Sequence, residues 1–249
     1  MWEHLKQEQK EKYKTLITNF ASLSEAFSQK AENEDSDDRE SYVAPIVNSK
    51  FQETVFQKAF HAVGEDIANT SYDASLVVDE QHKYLVGIKS FGLDSGDQKI
   101  AQFKKDSLSW NELLSEIRFH AEISPDKETA DKENRARYEK LAREIATLRN
   151  QRIESSKALI KGFHSDSSHV EAVYHVLMPT SKGHKPQIYV GETTYLPVDL
   201  DHLKILGSTT KNNPTNFRFT DGQHDYKYTA ADSQLHMTFR NKEIVVDTW

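Results

Sequence analysis

Apolar side chains recur at every third or fourth position in two segments near the N-terminus, a spacing typical of amphipathic helices. In residues 2–30 the recurring positions are Leu5, Tyr13, Leu16, Ile17, Phe20, Leu23 and Phe27. In residues 50–63 they are Phe51, Val55, Phe56, Ala59, Phe60 and Val63, and Gly64 follows as a stop signal. The pattern therefore predicts one helix in each segment.

The next pattern is two short apolar runs joined by a polar turn, which predicts an antiparallel hairpin. The runs are residues 72–78 and 84–91, and the turn is residues 79–83. A turn centred near Gln81 places Asp73 opposite Lys89 on adjacent strands. Residues 92–96 are predicted to be a loop, and residues 97–105 a short helix that begins at Asp97.

Helical periodicity returns in the middle of the chain, over residues 107–123 and 126–162, with Pro125 between them. The second helix is either a helix lying across a domain core or an arm for dimerisation or DNA clasping. From about residue 169 the chain is strand-like, with candidate strands at residues 169–178, 186–190, 217–220, 226–229, 235–239 and 243–247.

Composition narrows the class of protein. The chain has 249 residues, a net charge of −7 and no cysteine, which excludes disulfides and thiolate metal sites. No stretch approaches the roughly 20 apolar residues of a membrane span, and the polar start is unlike a secretion signal, so we expect a cytoplasmic protein without membrane contact. Residues 32–40 carry −5 of the charge, which favours a solvated linker over an acidic docking segment.

Candidate chemistry centres on the predicted hairpin. Asp73 and Lys89 end on one face of it, either as a plain ion pair or as part of a site. A helix packing on the sheet could bring Glu53 to them, and two carboxylates beside a lysine suit Mg²⁺. Such a metal lowers the pKa of a bound water, and Lys89 could support that water or the developing phosphoryl charge. Glu65 is a competing acid, but it follows Gly64 and is expected in a loop.

These residues resemble the PD-(D/E)xK nucleases, the fold of most type II restriction endonucleases. The family pattern is an acid on a helix, an Asp at the start of a strand, and (Asp/Glu)-x-Lys on the next antiparallel strand. Here Glu53, Asp73 and Gly87-Ile88-Lys89 stand in that order, within residues 50–105. The resemblance implies an α/β fold with a mixed sheet core flanked by helices, Mg²⁺-dependent hydrolysis of double-stranded DNA, and a homodimer.

One departure from the family pattern concerns Gly87, which stands where the family has an acid and so removes a metal ligand. Under the resemblance, Asp73 and Glu53 with the Ile88 carbonyl are then the metal ligands, and Asp73, Lys89 and Glu53 the catalytic residues. Rescue of the missing acid by Asp94 or Asp97 is a further possibility. Otherwise the site is inactive and the chain is a DNA-binding relic or a protein-interaction protein.

Basic and amide side chains supply candidate DNA contacts, because they hydrogen-bond phosphates and base edges. After the hairpin these are Lys99, Lys104 and Lys105, and in the C-terminal part they are Lys211, Asn212, Asn213, Asn216, Arg218 and Lys227. The alternative is a solvated face over the alternating aromatic residues Phe217 and Phe219.

The predicted organisation is an N-terminal helix over residues 1–30, an acidic linker over 31–49, and a catalytic core over 50–125. A long helix or arm over 126–165 and a β-rich, DNA-reading portion over 166–249 complete it. The expected function is that of a sequence-specific type II restriction endonuclease. An RNA or branched-DNA nuclease would use the same site.

Overall fold

The computed structural model describes residues 1–28, 45–65, 71–160, 169–181 and 184–249. It is a mixed α/β structure that divides into two compact units. Unit 1 consists of residues 1–95, 153–196 and 240–249, and unit 2 of residues 96–152 and 197–239. Most of the predicted acidic linker lies outside the described residues. The predicted organisation followed the order of the chain, whereas each unit combines separate segments.

Unit 1 is built on a six-stranded mixed sheet with the order β1-β2-β3-β5-β6-β11. Strands β3 and β5 are parallel and the other neighbours are antiparallel. The bounds are β1 Val63–Gly64, β2 Ala74–Val77, β3 Lys83–Ser90, β5 Val170–Pro179, β6 Ile188–Thr194 and β11 Val245–Thr248. The mixed sheet with helices beside it confirms the α/β class expected for this part of the chain.

Helices α1 (Gln7–Ser28) and α2 (Ser49–Phe60) form where the apolar periodicity predicts them. Val63 is an exception, because α2 ends before it and Val63 is exposed in β1. The side chains of Leu23 and Phe27 lie outside the described ones. Asn48 caps α2 by accepting a hydrogen bond from the Phe51 N–H, and the helix ends at His61 in the left-handed conformation. Both helices contribute to one core cluster with alternate residues of the sheet, among them Tyr13, Phe56, Leu76, Tyr84, Val86 and Ile88. The even-numbered residues of β3 therefore face α1 and α2.

The hairpin of β2 and β3 has a different register from the predicted one. Ala74 pairs with Val86 and Leu76 with Tyr84, so the strands are offset by two residues from the pairing of Asp73 with Lys89. The cause lies in the turn, where Asp79 accepts hydrogen bonds from the Gln81 N–H and from the His82 ring, both at 2.8 Å. These bonds close the turn one residue earlier than expected.

Unit 2 contains a five-stranded antiparallel sheet with the order β4-β10-β9-β8-β7. Its strands are β4 Asp97–Gln102, β7 Lys204–Thr210, β8 Asn213–Thr220, β9 Asp225–Thr229 and β10 Gln234–Thr238. The β-rich nature of the C-terminal part is confirmed. The helix predicted over residues 97–105 is wrong, because this segment pairs along β10 as an edge strand. A segment with so few apolar residues is too short for periodicity to separate a helix from a strand.

Helices α3 (Asn111–Ile123) and α4 (Lys127–Leu159) also match the predicted pattern. Apolar residues of α4 at a spacing of three and four are buried, since Tyr138, Leu141 and Ile145 have no exposed surface. Within unit 2 the Tyr138 ring stacks on Phe217 with centroids 4.9 Å apart, and its hydroxyl donates to the Pro214 carbonyl at 2.8 Å. This part of α4 therefore lies across the core of unit 2, in agreement with the first of the two alternatives that the sequence left open. Of the helices in the described ranges, none is both long and apolar enough to cross a membrane.

Candidate active site on the mixed sheet

The Asp73 side chain continues the hydrogen-bond ladder beyond the first residue of β2. The Asp73 N–H donates to the Val86 carbonyl at 2.9 Å, and the Asp73 Oδ2 accepts from the Ile88 N–H at 2.6 Å. A carboxylate thus takes the place of a main-chain acceptor opposite β3. Because the N–H and C=O of one strand residue point to the same side, the Ile88 carbonyl also points towards β2.

Lys89 lies on the sheet face opposite to the one that α1 and α2 cover. Side chains alternate along β3, so Leu85, Gly87 and Lys89 share this face, whereas Ile88 joins the core cluster. The predicted ion pair between Asp73 and Lys89 is not formed, because the register sets them diagonally rather than opposite. Lys89 forms no other ion pair within the described ranges.

Gly87, the position of the missing family acid, lies against two aromatic rings. A Cβ built there would be 2.9 Å from Tyr174 Cδ1 and 2.9 Å from Tyr195 Cε1. The two rings stack with centroids 4.0 Å apart, and the Tyr195 hydroxyl donates to the Ser71 carbonyl at 2.9 Å. These rings leave no room for an acidic side chain at position 87 unless they move.

Glu65 is brought to Asp73 by the pairing of β1 with β2. Val63 pairs with Ser75 and Gly64 with Ala74, and the next step places Glu65 beside Asp73, where the Glu65 N–H donates to the Asp73 carbonyl at 3.1 Å. Its Oε1 accepts a hydrogen bond from the Ser75 hydroxyl. Ser75 pairs with Leu85, so the Glu65 carboxylate reaches the face that carries Lys89.

Glu65 lies just after β1 and outside any strand, as expected for a loop residue, but its N–H is bonded to Asp73. Strand β1 has two residues, which is too short for an alternating pattern to announce it. The sequence Val63-Gly64-Glu65 does contain a signal for an extended segment. An apolar residue and an acid separated by one position project to the same side of an extended chain.

Glu53, the acid chosen from the sequence, lies on α2 and pairs with Lys50 at 3.0 Å. The hydrogen bond from the Ser90 hydroxyl to the Val47 carbonyl ties the start of α2 to the end of β3. The start of α2 therefore lies near the end of β3 that carries Lys89, but α2 with Glu53 covers the face opposite to Lys89. Among the described residues, no three His, Asp or Glu side chains form a group that could hold a metal ion.

Several candidate DNA contacts have structural bonds that the sequence did not foresee. The Lys211 ammonium donates to the Ser124 carbonyl at 2.7 Å and to the Pro125 carbonyl at 3.0 Å, which caps the end of α3. The Asn216 side chain accepts from the Ala230 N–H, whereas Asn213 is exposed and its bond to the Thr210 hydroxyl comes from its main-chain N–H.

The remaining candidates divide between paired and exposed side chains. Arg218 and Lys227 both bind Asp97. Exposed positions are Lys99, Lys104, Lys105 and Asn212. Lys99, Arg218 and Lys227 therefore lie on one sheet, whereas the side chains of Lys211 and Asn216 form bonds that stabilise the fold.

The chain was compared with protein-family models, with curated proteins and with solved structures, and no match was found in any of the three comparisons.

Proposed function

We propose that this chain is a Mg²⁺-dependent endonuclease that hydrolyses phosphodiester bonds of double-stranded DNA, with Asp73, Glu65 and Lys89 as its catalytic residues. The observation that carries the proposal is the pairing of Glu65 with Asp73 beside β3, which bears Lys89 on the face that Glu65 reaches. An acid just after β1, an acid just before β2 and a lysine on β3 fit phosphoryl transfer, in which positioning and charge stabilisation supply most of the catalysis.

We further propose that the chain is a cytoplasmic type II restriction endonuclease, which acts as a homodimer on a specific sequence. The order of the elements supports it, since α2, β2 with its preceding Asp73, and the antiparallel β3 with Lys89 follow the family pattern. We include in this proposal that the mixed sheet of unit 1 has the restriction-endonuclease-like fold.

The donor set of this site fits Mg²⁺. Hydrogen bonds from the Ile88 N–H and the Ser75 hydroxyl orient the Asp73 and Glu65 carboxylates. Mg²⁺ in enzymes of this kind needs only one or two carboxylates, because waters and substrate phosphates complete its coordination. Asp73 and Glu65 would hold the ion, with the Ile88 carbonyl as a third oxygen. When bound, Mg²⁺ lowers the pKa of a coordinated water and offsets negative charge on the phosphate.

Lys89 would act on the substrate rather than on the metal. Its ammonium brings positive charge to the face that the Glu65 carboxylate reaches, where it would bind an oxygen of the scissile phosphate. The diagonal placement relative to Asp73 suits this role better than a direct ion pair would, because an ion pair would occupy the ammonium.

A second candidate function is an inactive nuclease fold that binds DNA or another protein. The stacked rings over Gly87 favour it, because they fill the position from which the family supplies a metal ligand. In that case Asp73 has the structural role of ending the ladder of β2 and β3.

The test is the relaxation of supercoiled plasmid in Mg²⁺ and in EDTA. We expect Asp73→Asn and Lys89→Met to reduce the rate by about 10²-fold or more, the order measured when a charge-stabilising group is removed. Glu65→Gln should do the same, whereas its matched control Glu53→Gln should keep the rate within about twofold, since Glu53 pairs with Lys50. Circular dichroism would check that each variant is folded.

Three results would decide against parts of the proposal. Cleavage that survives both Asp73→Asn and Lys89→Met would refute the active site. Loss of cleavage in Glu53→Gln but not in Glu65→Gln would restore the acid expected from the sequence. Salt-dependent binding of duplex without cleavage by the wild type would establish the inactive form.

A further inference from the structure

The sheet of unit 2 has one apolar face and one polar face. Phe217, Phe219, Tyr226 and Tyr228 of β8 and β9 are buried on the apolar face. On the other face, the cross-strand register aligns Lys99 of β4, His236 of β10, Lys227 of β9 and Arg218 of β8 in one row. Because neighbouring strands are about 4.8 Å apart, the main chains of this basic row span about 14 Å, although the Arg218 and Lys227 side chains converge on Asp97.

The charge on this face is positive although the chain as a whole carries −7. Beside the basic row lies a second row that contains Asp97, Thr238, Asp225 and Thr220, and Lys204 pairs with Thr220 at its end. The two rows together carry four cations and two carboxylates, so the face has a net charge of +2. A local positive surface on an acidic chain indicates an anionic partner.

Asp97 holds two members of the basic row in place. Its carboxylate is 8% exposed and accepts from Arg218, from the Lys227 ammonium at 2.9 Å and from the Thr238 hydroxyl at 2.7 Å. Burial opposes ionisation, but the bonds from Lys227, Thr238 and Arg218 outweigh it and lower the pKa of Asp97 to about 2. Asp97 is therefore ionised at neutral pH and orders the two cations.

Arg218 and Lys227 remain able to bind a second group. Their side chains are 37% and 25% exposed, and a guanidinium with five N–H donors or an ammonium with three is not exhausted by one carboxylate. Lys99 at the end of the row is exposed. Burial and the nearby Lys227 lower the pKa of His236, so its ring is neutral at pH 7 and adds hydrogen-bonding capacity rather than charge.

We propose that this face binds the phosphate backbone of duplex DNA, with Lys99, Lys227 and Arg218 each contacting a phosphate and Asp97 holding the last two in place. Three cations on one face, with Lys99 apart from the Arg218 and Lys227 pair at Asp97, suit several phosphates of one polymer rather than a single small anion. The choice of partner rests on the proposed function, whereas the location of the face rests on the register and ion pairs of unit 2 alone.

The test is fluorescence anisotropy of a labelled mixed-sequence duplex with the full chain in EDTA, over a series of salt concentrations. Three phosphate contacts predict a slope of log K against log [salt] of about −2.7. We expect Lys99→Gln and Arg218→Gln each to reduce the slope by about 1. The matched control is Lys140→Gln, which removes the same charge from an exposed position on α4 and should leave the slope unchanged.

An equal change of slope in the Lys140→Gln control would overturn the proposal, because the effect would then come from the net charge of the chain and not from this face. Salt-independent binding, or no binding of the duplex, would also overturn it. So would binding of labelled polyglutamate with the same affinity and the same response to Lys99→Gln and Arg218→Gln, since the face would then recognise acidic polypeptides.

The two proposals fail separately. Expected slopes without plasmid cleavage would support the DNA-binding face and refute the nuclease. Cleavage that depends on Asp73, together with duplex binding that ignores Lys99→Gln and Arg218→Gln, would support the nuclease and refute the face.

Discussion

His175 is wholly buried in the core of unit 1, which makes the stability of the chain depend on pH. Its Nε2 lies 3.1 Å from the Tyr13 hydroxyl, and the Trp2 ring stacks on it with centroids 5.6 Å apart. Burial disfavours the imidazolium and lowers the pKa of His175 to about 3. A histidine in the unfolded chain has a pKa of about 6.5.

The sign of the effect follows from this difference. Above pH 6.5 neither state binds the proton and stability is unaffected. Below pH 6.5 the unfolded chain binds a proton that the native chain excludes, so stability falls by about 1.4 kcal/mol per pH unit until the pKa of the native state is reached. This single group predicts a loss of about 1.4 kcal/mol at pH 5.5 and about 2.7 kcal/mol at pH 4.5, relative to pH 7.5.

The measurement is urea unfolding followed by circular dichroism at pH 7.5, 6.5, 5.5 and 4.5. The variant His175→Gln should be less stable at pH 7.5 but should lose the pH dependence that His175 contributes, because glutamine does not titrate, and should keep the part due to His236, whose pKa burial also lowers. His202→Gln is the control, since the His202 side chain is 71% exposed. Wild-type stability that stays flat between pH 7.5 and 5.5, or a slope that is undiminished in His175→Gln, would show that the native state accommodates the charge.

Two further predictions concern packing. Gly87→Ala should lower the free energy of unfolding by about 1–3 kcal/mol in a urea titration, because its Cβ meets the Tyr174 and Tyr195 rings. The control Gly96→Ala should leave the free energy unchanged, because a Cβ there meets nothing within 4 Å, and equal effects of the two variants would contradict the steric reason. Tyr138→Phe should cost about 1–3 kcal/mol in thermal unfolding, because it leaves the Pro214 carbonyl without its buried donor, and an unchanged transition would show that this bond adds nothing.

Long and strongly periodic patterns could be interpreted from the sequence. The apolar stripes of α1 and α2 and the alternation of Phe217 with Phe219 reflect a single preference, which is the removal of one face from water. Such a preference repeats at every turn or every second residue, so many positions report it together.

Features that depend on a single hydrogen bond or on a distant partner could not be predicted in this way. The register of β2 and β3 depends on the bonds of Asp79 in the turn. The strand β4 exists because residues near 235, far along the chain, pair with it. Glu65 takes its position beside Asp73 from a two-residue strand, so the helical spacing that pointed to Glu53 could not show which acid pairs with Asp73.

The chain passes between the two units four times, near residues 95, 152, 196 and 239. No single truncation can therefore release either unit intact, and limited proteolysis between them would not yield one autonomous fragment. The parallel neighbours β3 and β5 are separated by the whole first segment of unit 2, residues 96–152, so their pairing closes a long loop and should form late. During synthesis, the edge of β3 stays without its neighbour until the ribosome has passed residue 179.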